Sequence, residues 1–128
     1  MTTANLERIC PFFIVKSVFA TIEFYRAKLG FDVLHQEPAQ DPFFAILGRD
    51  GVMIFVKSGS VEPAPNPSRD PEMRWDSYIA TNDPGTLASE FEQRDATFSS
   101  KLADTHDGLR GFEVTDPDGY VLFFGRPG

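Results

Sequence analysis

The chain has 128 residues, of which 24% are charged, and a formal net charge of −7. This length is typical of one domain with a core of its own. The negative charge disfavours nucleic acid and anionic membrane surfaces as partners, because both attract basic proteins. It mildly favours cationic ligands, although a role in solubility alone would also account for it.

The start of the chain lacks the basic region and the apolar stretch of a secretion signal. No apolar run approaches the length that crosses a membrane. The single cysteine, Cys10, cannot form an internal disulfide. We therefore expect a cytoplasmic protein.

The first half of the chain predicts one helix and four strands. Residues 8–15 are apolar and aromatic, which favours a strand, with Pro11 at an edge or a bulge. Ser17 can cap a helix that Gly30 ends. Its apolar positions are spaced by four, three and four residues: Val18, Ile22, Tyr25 and Leu29. A strand over 31–38 and a hairpin over 43–56 follow.

The second half repeats this order after a proline-rich segment. Residues 58–72 contain four prolines and no periodicity, which is typical of a linker. Residues 74–81 form the next predicted strand. Asp83 can cap a helix with Pro84 in its first position, and Leu87 and Phe91 face inward. Residues 96–102 read as a weak strand, and a closing hairpin covers 111–124.

The two hairpins are similar enough to indicate an internal repeat. Residues 43–56 can be laid on 111–124 so that Asp50-Gly51 falls on Asp118-Gly119. The prediction is a single α+β domain made of two βαβββ modules. Module one covers 8–57, the linker covers 58–72 and module two covers 73–126.

Two stretches resemble a known superfamily. "VKSVFATIEFYRAKLGFDV" (15–33) and "GFEVTDPDGYVLFFGRP" (111–127) are similar to the vicinal oxygen chelate proteins: glyoxalases, extradiol dioxygenases, and fosfomycin and bleomycin resistance proteins. The paired βαβββ pattern extends this resemblance over nearly the whole chain. It implies that the modules curl an eight-stranded mixed sheet around a cavity, usually in a homodimer.

The resemblance also implies four metal-ligand positions, from the first and last strands of each module: Cys10, Phe55, Asp76 and Phe123. Phenylalanine has no lone pair to donate, and the two other residues fall short of the usual three or four protein ligands. His35 and His106 lie off the matching positions. The sequence therefore departs from the metal-dependent branches, and we expect neither a metal nor another cofactor.

The turns predict which side chains share a face. A three-residue loop at 117–119, ending in glycine, places Glu113 opposite Phe123. The residues beside them are apolar and belong against the helix. The same loop in the first hairpin directs a second set to the helix: Phe44, Ile46, Ile54 and Val56. It leaves the remainder on the inner face, the face away from the helix: Ala45, Leu47, Met53 and Phe55.

Strand alternation completes the inner face with Phe12 and Tyr78. The predicted ligand-binding residues are Phe12, Phe55, Asp76, Tyr78, Glu113 and Phe123, with Met53, Leu47 and Val121 extending the wall. Aromatic rings stack flat molecules and attract cations. Alternating aromatic residues also occur in ordinary cores, but buried unpaired carboxylates are costly there. Arg74 and Arg110 could pair with the two acids. Trp75 could lie at the edge of the cavity or cap the sheet, and the second position is slightly favoured.

These features predict a metal-independent protein that binds, and possibly sequesters, a cationic or aromatic small molecule, in the manner of bleomycin resistance proteins. The alternative is a lyase, isomerase or dioxygenase of the superfamily. Such an enzyme would depend on a metal or use Asp76 or Glu113 as general base, since neighbouring carboxylates raise one pKa. Ser17, Ser99 and Thr115 show no Ser-His-Asp pattern, so the catalytic residues are unknown.

Overall fold

The computed structural model describes residues 3–72 and 75–128. Within them, helices and strands follow in this order: β1 Phe12–Ile14, α1 Val18–Leu29, β2 Asp32–Glu37, β3 Phe44–Arg49, β4 Val52–Lys57, α2 Asn66–Arg69, β5 Ser77–Ala80, α3 Pro84–Gln93, β6 Phe98–Asp104, β7 Leu109–Thr115 and β8 Val121–Pro127. None of the helices in these residues is long and apolar enough to cross a membrane.

The strands of each module form a four-stranded mixed sheet. The strand orders are β1-β4-β3-β2 and β5-β8-β7-β6. The pairs β1–β4 and β5–β8 are parallel, and the other neighbours are antiparallel. Helix α1 packs on the first sheet and α3 on the second. The predicted α+β fold of two βαβββ modules is confirmed, with the eight strands divided between two sheets.

Helix α1 begins and ends where the sequence predicts, and α3 begins where it predicts. Ser17 accepts a hydrogen bond from the amide of Ala20 at 3.1 Å, and Gly30 ends α1 with a φ of 71°, a left-handed conformation that suits glycine. Asp83 accepts from the amide of Thr86 at 3.0 Å, and Pro84 opens α3.

Three element boundaries differ from the prediction. Strand β1 starts at Phe12 rather than residue 8, because Pro11 lacks an amide hydrogen to donate and the residues from 3 to 9 are exposed. The proline-rich segment contains the short helix α2. Strand β5 begins at Ser77, and the predicted start at Arg74 lies outside the described residues.

The register of the second hairpin is confirmed. Glu113 lies opposite Phe123, and the amide of Asp116 donates to the carbonyl of Tyr120 at 2.9 Å. Gly119 closes this three-residue loop with a φ of 93°. The residues facing α3 are apolar and buried: Phe112, Val114, Leu122 and Phe124.

The predicted register of the first hairpin is wrong for β3. Arg49 pairs with Val52 across the two-residue turn Asp50-Gly51, in which Asp50 has a φ of 52°. One residue fewer in the turn reverses both faces of β3, because strand side chains alternate. Phe44 and Ile46 therefore lie on the inner face, whereas Ala45 and Leu47 are buried on the helix side. Strand β4 has the predicted faces, with Ile54 and Val56 toward α1 and Met53 and Phe55 away from it.

The two modules share one core. A single cluster of buried apolar side chains extends from Phe13 in β1 to Phe124 in β8. Hydrogen bonds also join the modules, from Tyr25 to Asp116 and from Arg49 to Glu90. Each sheet therefore has one face buried against its helix and an inner face that points away from this shared core.

Candidate functional site: the aromatic inner faces

The inner face of the first sheet has three neighbouring phenylalanine rings. The Phe12 and Phe55 centroids are 5.7 Å apart, and Phe44 lies 6.1 Å from Phe12 and 6.0 Å from Phe55. The ring of His35 lies 6.0 Å from that of Phe44. Phe12 is 54% exposed, so this cluster, which we call the Phe12 cluster, offers apolar surface to a ligand.

The inner face of the second sheet has a layered aromatic stack. Phe123 lies against Gly111 and Gly125, where an added Cβ would come within 2.5 Å of its ring. Trp75 stacks on Phe123 at 4.0 Å with an angle of 21° between planes. Tyr78 lies 5.5 Å from Phe123 at 25° and is 43% exposed. We call this arrangement the Trp75 stack.

Trp75 covers two residues that were expected to contact a ligand directly. Its indole Nε1 donates to Oε2 of Glu113 at 2.8 Å. Phe123 is 2% exposed and Glu113 6% exposed, although both belong to the inner face. The accessible rings of the stack are therefore Trp75 and Tyr78, and Phe123 and Glu113 support them from below.

Asp76, a predicted ligand contact, has two backbone partners for its carboxylate. Its Oδ1 accepts from the amide of Asn66 at 2.7 Å, and its Oδ2 accepts from the amide of Val121 at 2.8 Å. The carboxylate thus joins the start of α2 to the start of β8. Chain bending at this residue breaks the strand alternation on which the prediction depended.

Other residues of the predicted wall have different surroundings. Leu47 is buried in the core beside α1, owing to the two-residue turn. Met53 accepts from Arg8 Nη1 at 2.8 Å through its sulfur, and Val121 is buried. Arg110 pairs with Asp104 at 3.2 Å. Arg74, which was predicted to pair with one of the two acids, lies outside the described residues.

The residues at the four superfamily ligand positions do not fit a metal. Phe55 and Phe123 have no donor atom, and both carboxylate oxygens of Asp76 accept hydrogen bonds from backbone amides. Within residues 3–72 and 75–128, no three His, Cys, Asp or Glu side chains come together as a metal site would require.

Sequence reasoning missed Phe44 and left Trp75 between two interpretations. A two-residue Asp-Gly turn, a common hairpin connection, would have placed Phe44 on the inner face. The bend at Asp76 moves Trp75 over that face, where it both edges and covers the inner surface. No local pattern predicts such a bend, because it depends on an amide of the distant strand β8.

Comparison with known proteins assigns the family. The model of the Glyoxalase/Bleomycin resistance protein/Dioxygenase superfamily matches residues 6–124. The chain belongs to this superfamily. The resemblance deduced from the "FYRAKLGF" and "DPDGYVLFFG" stretches is thereby confirmed. A comparison with curated proteins finds no significant match.

Several solved structures share the fold over nearly the full chain. TioX from Micromonospora sp. ML1 superposes with a TM-score of 0.73 at 18% identity, covering 94% of this chain and 98% of its own. A bleomycin-binding protein complexed with bleomycin gives 0.72 at 18%, covering 96% and 100%. TnmS3, an antibiotic binding protein from Streptomyces sp. CB03234, gives 0.64 at 18%, covering 100% and 99%.

Proposed function

We propose that this superfamily member is a metal-independent binding protein that holds a flat aromatic small molecule against its inner faces. The observation that carries the proposal is the pairing of accessible rings with rigid support, in the Phe12 cluster and the Trp75 stack. Aromatic side chains bind flat ligands through large apolar contacts and preferred stacking geometry. A bleomycin-binding protein complexed with bleomycin and the antibiotic binding protein TnmS3 share the fold, which supports an antibiotic-like ligand.

The ligand is also proposed to carry a positive charge, although neither Asp76 nor Glu113 has a carboxylate free of other partners. Asp76 is engaged by backbone amides, and Glu113 lies beneath Trp75. The exposed ring faces still attract cations, and the net charge of −7 adds a weak general attraction. We therefore expect a modest preference for a cationic ligand over a neutral ligand of the same shape.

The enzymatic alternative has less support. A lyase, isomerase or dioxygenase that depends on a metal would need more donor residues than Cys10 and Asp76, because the other two matching positions are phenylalanines. A metal-free enzyme would need a carboxylate in reach of the substrate, and Asp76 and Glu113 are both held by other groups. Stoichiometric zinc, nickel, iron or manganese in protein purified without chelator would favour the enzyme.

We also propose a homodimer in the cytoplasm. The strands β1, β2, β5 and β6 lie at sheet edges, and the inner faces expose aromatic rings that a second copy could cover. Sedimentation at micromolar concentration should give a species of twice the 14.3 kDa chain mass. A species of 14.3 kDa under these conditions would contradict the dimer.

Calorimetry with matched probes tests the binding proposal. Quinoline is a neutral flat ring system at pH 8, and N-methylquinolinium has a similar shape with a fixed positive charge. Replacing Phe44 or Trp75 by alanine should weaken both probes about two- to tenfold, which corresponds to the loss of one aromatic contact. The cation should bind the parent protein more tightly than quinoline does, and less so at high salt.

Phe19 provides the matched control. This phenylalanine lies on α1, away from the inner faces. Its exposed fraction is 56%, close to the 54% of Phe12. Phe19→Ala should leave both affinities unchanged. Equal losses in the Phe19 and Phe44 variants, or no binding of either probe to the parent, would count against the inner faces as the ligand site.

A further inference from the structure

The internal repeat makes the two contact regions between the modules equivalent. Laying Asp50-Gly51 on Asp118-Gly119 also lays Val52 on Tyr120. Both residues follow the hairpin turn of their own module. Each should therefore face the first strand of the other module.

The first strands correspond as well. Strand β1 pairs with β4 in the same parallel register as β5 with β8, so that Phe13 corresponds to Ile79 and Ile14 to Ala80. The backbone amides that follow these strands make equivalent hydrogen bonds. Val15 donates to Lys57 at 2.8 Å, and its counterpart Thr81 donates to Gly125 at 3.0 Å.

At the first contact region, Tyr120 lies between the modules and leaves a cavity of about 400 Å³ beside it. Its ring stacks on Phe13 with centroids 4.2 Å apart and an angle of 6°. Its hydroxyl donates to the carbonyl of Ile14 at 2.7 Å and accepts from the amide of Ala64 at 3.3 Å. The edge of β1 is thus covered by a phenol.

At the second contact region, the equivalent space is a larger cleft. Val52 and Ile79 stand where the first region has Tyr120 and Phe13, and both line a cavity of about 670 Å³. Phe31, Leu87 and Phe91 contribute further apolar wall. Two stacked rings are therefore replaced by two aliphatic side chains, and the volume is left open.

The cleft also contains a matching hydrogen-bond acceptor. Backbone groups of successive residues in a parallel strand point to opposite sides, and Thr81 bonds toward β8. The carbonyl of Ala80 is therefore directed to the open edge of β5, as the carbonyl of Ile14 is directed to Tyr120. The cleft therefore has a backbone carbonyl equivalent to the one that accepts the Tyr120 hydroxyl in the other half of the molecule.

The charged groups around the cleft are already engaged. Glu90 accepts from Arg49 at 2.7 Å and 2.8 Å and from Arg94 at 2.8 Å. Asp83 accepts from the amide and hydroxyl of Thr86. Asp50, which also lines the cleft, lies 3.8 Å from Arg49 and is largely exposed. Because Arg49 and Arg94 are both paired with Glu90, the cleft favours a neutral ligand over an anion.

We propose that this cleft is a second binding site, for the phenol group of a small molecule. The ring lies between Val52 and Ile79, and its hydroxyl donates to the carbonyl of Ala80. Tyr78 of the Trp75 stack lies at the edge of this cleft, whereas the three phenylalanines of the Phe12 cluster do not line it.

The proposal is tested by methyl-resolved NMR of the protein in solution, in its native oligomeric state, with p-cresol as the probe. p-Cresol should shift the methyl signals of Val52, Ile79 and Leu87 in a saturable manner. Toluene lacks the hydroxyl and should bind about two- to tenfold more weakly, as expected for one lost hydrogen bond. The mapping uses the unmodified protein, so it does not depend on how a variant folds.

Val52→Tyr supplies the missing ring from the chain itself. It should abolish the p-cresol response, because Tyr120 shows that a tyrosine fits the equivalent place. Phe19→Ala, on the exposed side of α1, should leave the p-cresol affinity unchanged. A response confined to inner-face methyl groups, equal affinities for p-cresol and toluene, or full binding by a folded Val52→Tyr variant would each overturn the proposal.

Two other occupants give distinct results. A second copy of the chain would shift the cleft methyl signals with protein concentration rather than with p-cresol. The chain's own residues near Ile9, which also line the cleft, would block p-cresol until Ile9→Gly releases them. Either result would show that the cleft is filled by protein and would overturn the phenol site.

Discussion

Tyr25 and Asp116 are joined by a buried hydrogen bond of 3.0 Å, although they lie 91 positions apart in the sequence. Asp116 also accepts from the amides of Asp118 and Tyr120 at 2.9 Å and 3.0 Å. Burial raises its pKa from 3.8 to about 6 despite these donors, and burial together with Asp116 raises the pKa of Tyr25. One carboxyl thus connects α1 of the first module to the closing turn of the second.

The raised pKa of Asp116 predicts a particular pH dependence of stability. The folded state holds this proton more tightly than the unfolded state, so the contribution of Asp116 is favourable below about pH 4. It is lost as pH rises toward 6. Asp116→Asn should remove this loss, which amounts to about 3 kcal/mol. Urea unfolding of parent and variant between pH 4 and pH 7 measures the difference.

Asp41→Asn is the control for this measurement, because it removes the same charge from an exposed loop. Its free energy of unfolding should follow the parent curve throughout. A constant difference between the parent and Asp116→Asn over the whole pH range would contradict the raised pKa.

Gly111 should tolerate no side chain. A Cβ there would lie 2.3 Å from the carbonyl oxygen of Phe124 and 2.5 Å from the ring of Phe123. We expect Gly111→Ala to lower the free energy of unfolding by about 1–3 kcal/mol or more, because backbone must shift. Gly59→Ala, which adds a Cβ in open space, should change it little. Thermal melts compare the two variants, and equal midpoints would show that the sheet adapts.

The Arg49–Glu90 pair should contribute measurably to stability. Arg49 bonds both carboxylate oxygens of Glu90, and this contact lowers the pKa of Glu90. Its contribution is therefore present above the unfolded pKa and is lost as pH falls through the lower folded value. At pH 7, Glu90→Gln should cost about 1–3 kcal/mol by urea unfolding.

A second ion pair is the reference. Glu23 and Arg26 lie one helical turn apart on α1 and are both about half exposed. Glu23→Gln should cost no more than about 0.5 kcal/mol, as expected for exposed helical pairs. A Glu90→Gln variant no less stable than Glu23→Gln would mean that solvent screens the Arg49 contact as well.

Asp76 should act on stability rather than on ligand binding. Its carboxylate receives two backbone amides that would otherwise lack this partner. Asp76→Ala should lower the free energy of unfolding by about 1–3 kcal/mol, whereas Glu62→Ala, exposed in the same connecting segment, should have little effect. Calorimetry on the folded variant should show unchanged affinity for N-methylquinolinium. A clear loss of affinity would return Asp76 to the ligand site.

The elements were predictable because their signals are local. Ser17, Gly30 and Asp83 act within one helical turn, and the glycine loop at 117–119 sets its own register. The inner faces were only partly predictable. The position of Phe44 depends on one residue of turn length, and that of Trp75 depends on a bend held by a strand 45 positions away. Contacts across such distances leave no periodic pattern in the sequence.

The stacking of Trp75 on Phe123 has an optical consequence. The chain has one tryptophan, so all indole emission originates from the inner face of the second sheet. That indole is partly shielded from water and bonded to a carboxylate, and transfer to solvent changes its spectrum. The protein therefore has an intrinsic fluorophore at the surface proposed to receive a flat ligand, and docking there becomes visible without any dye or label.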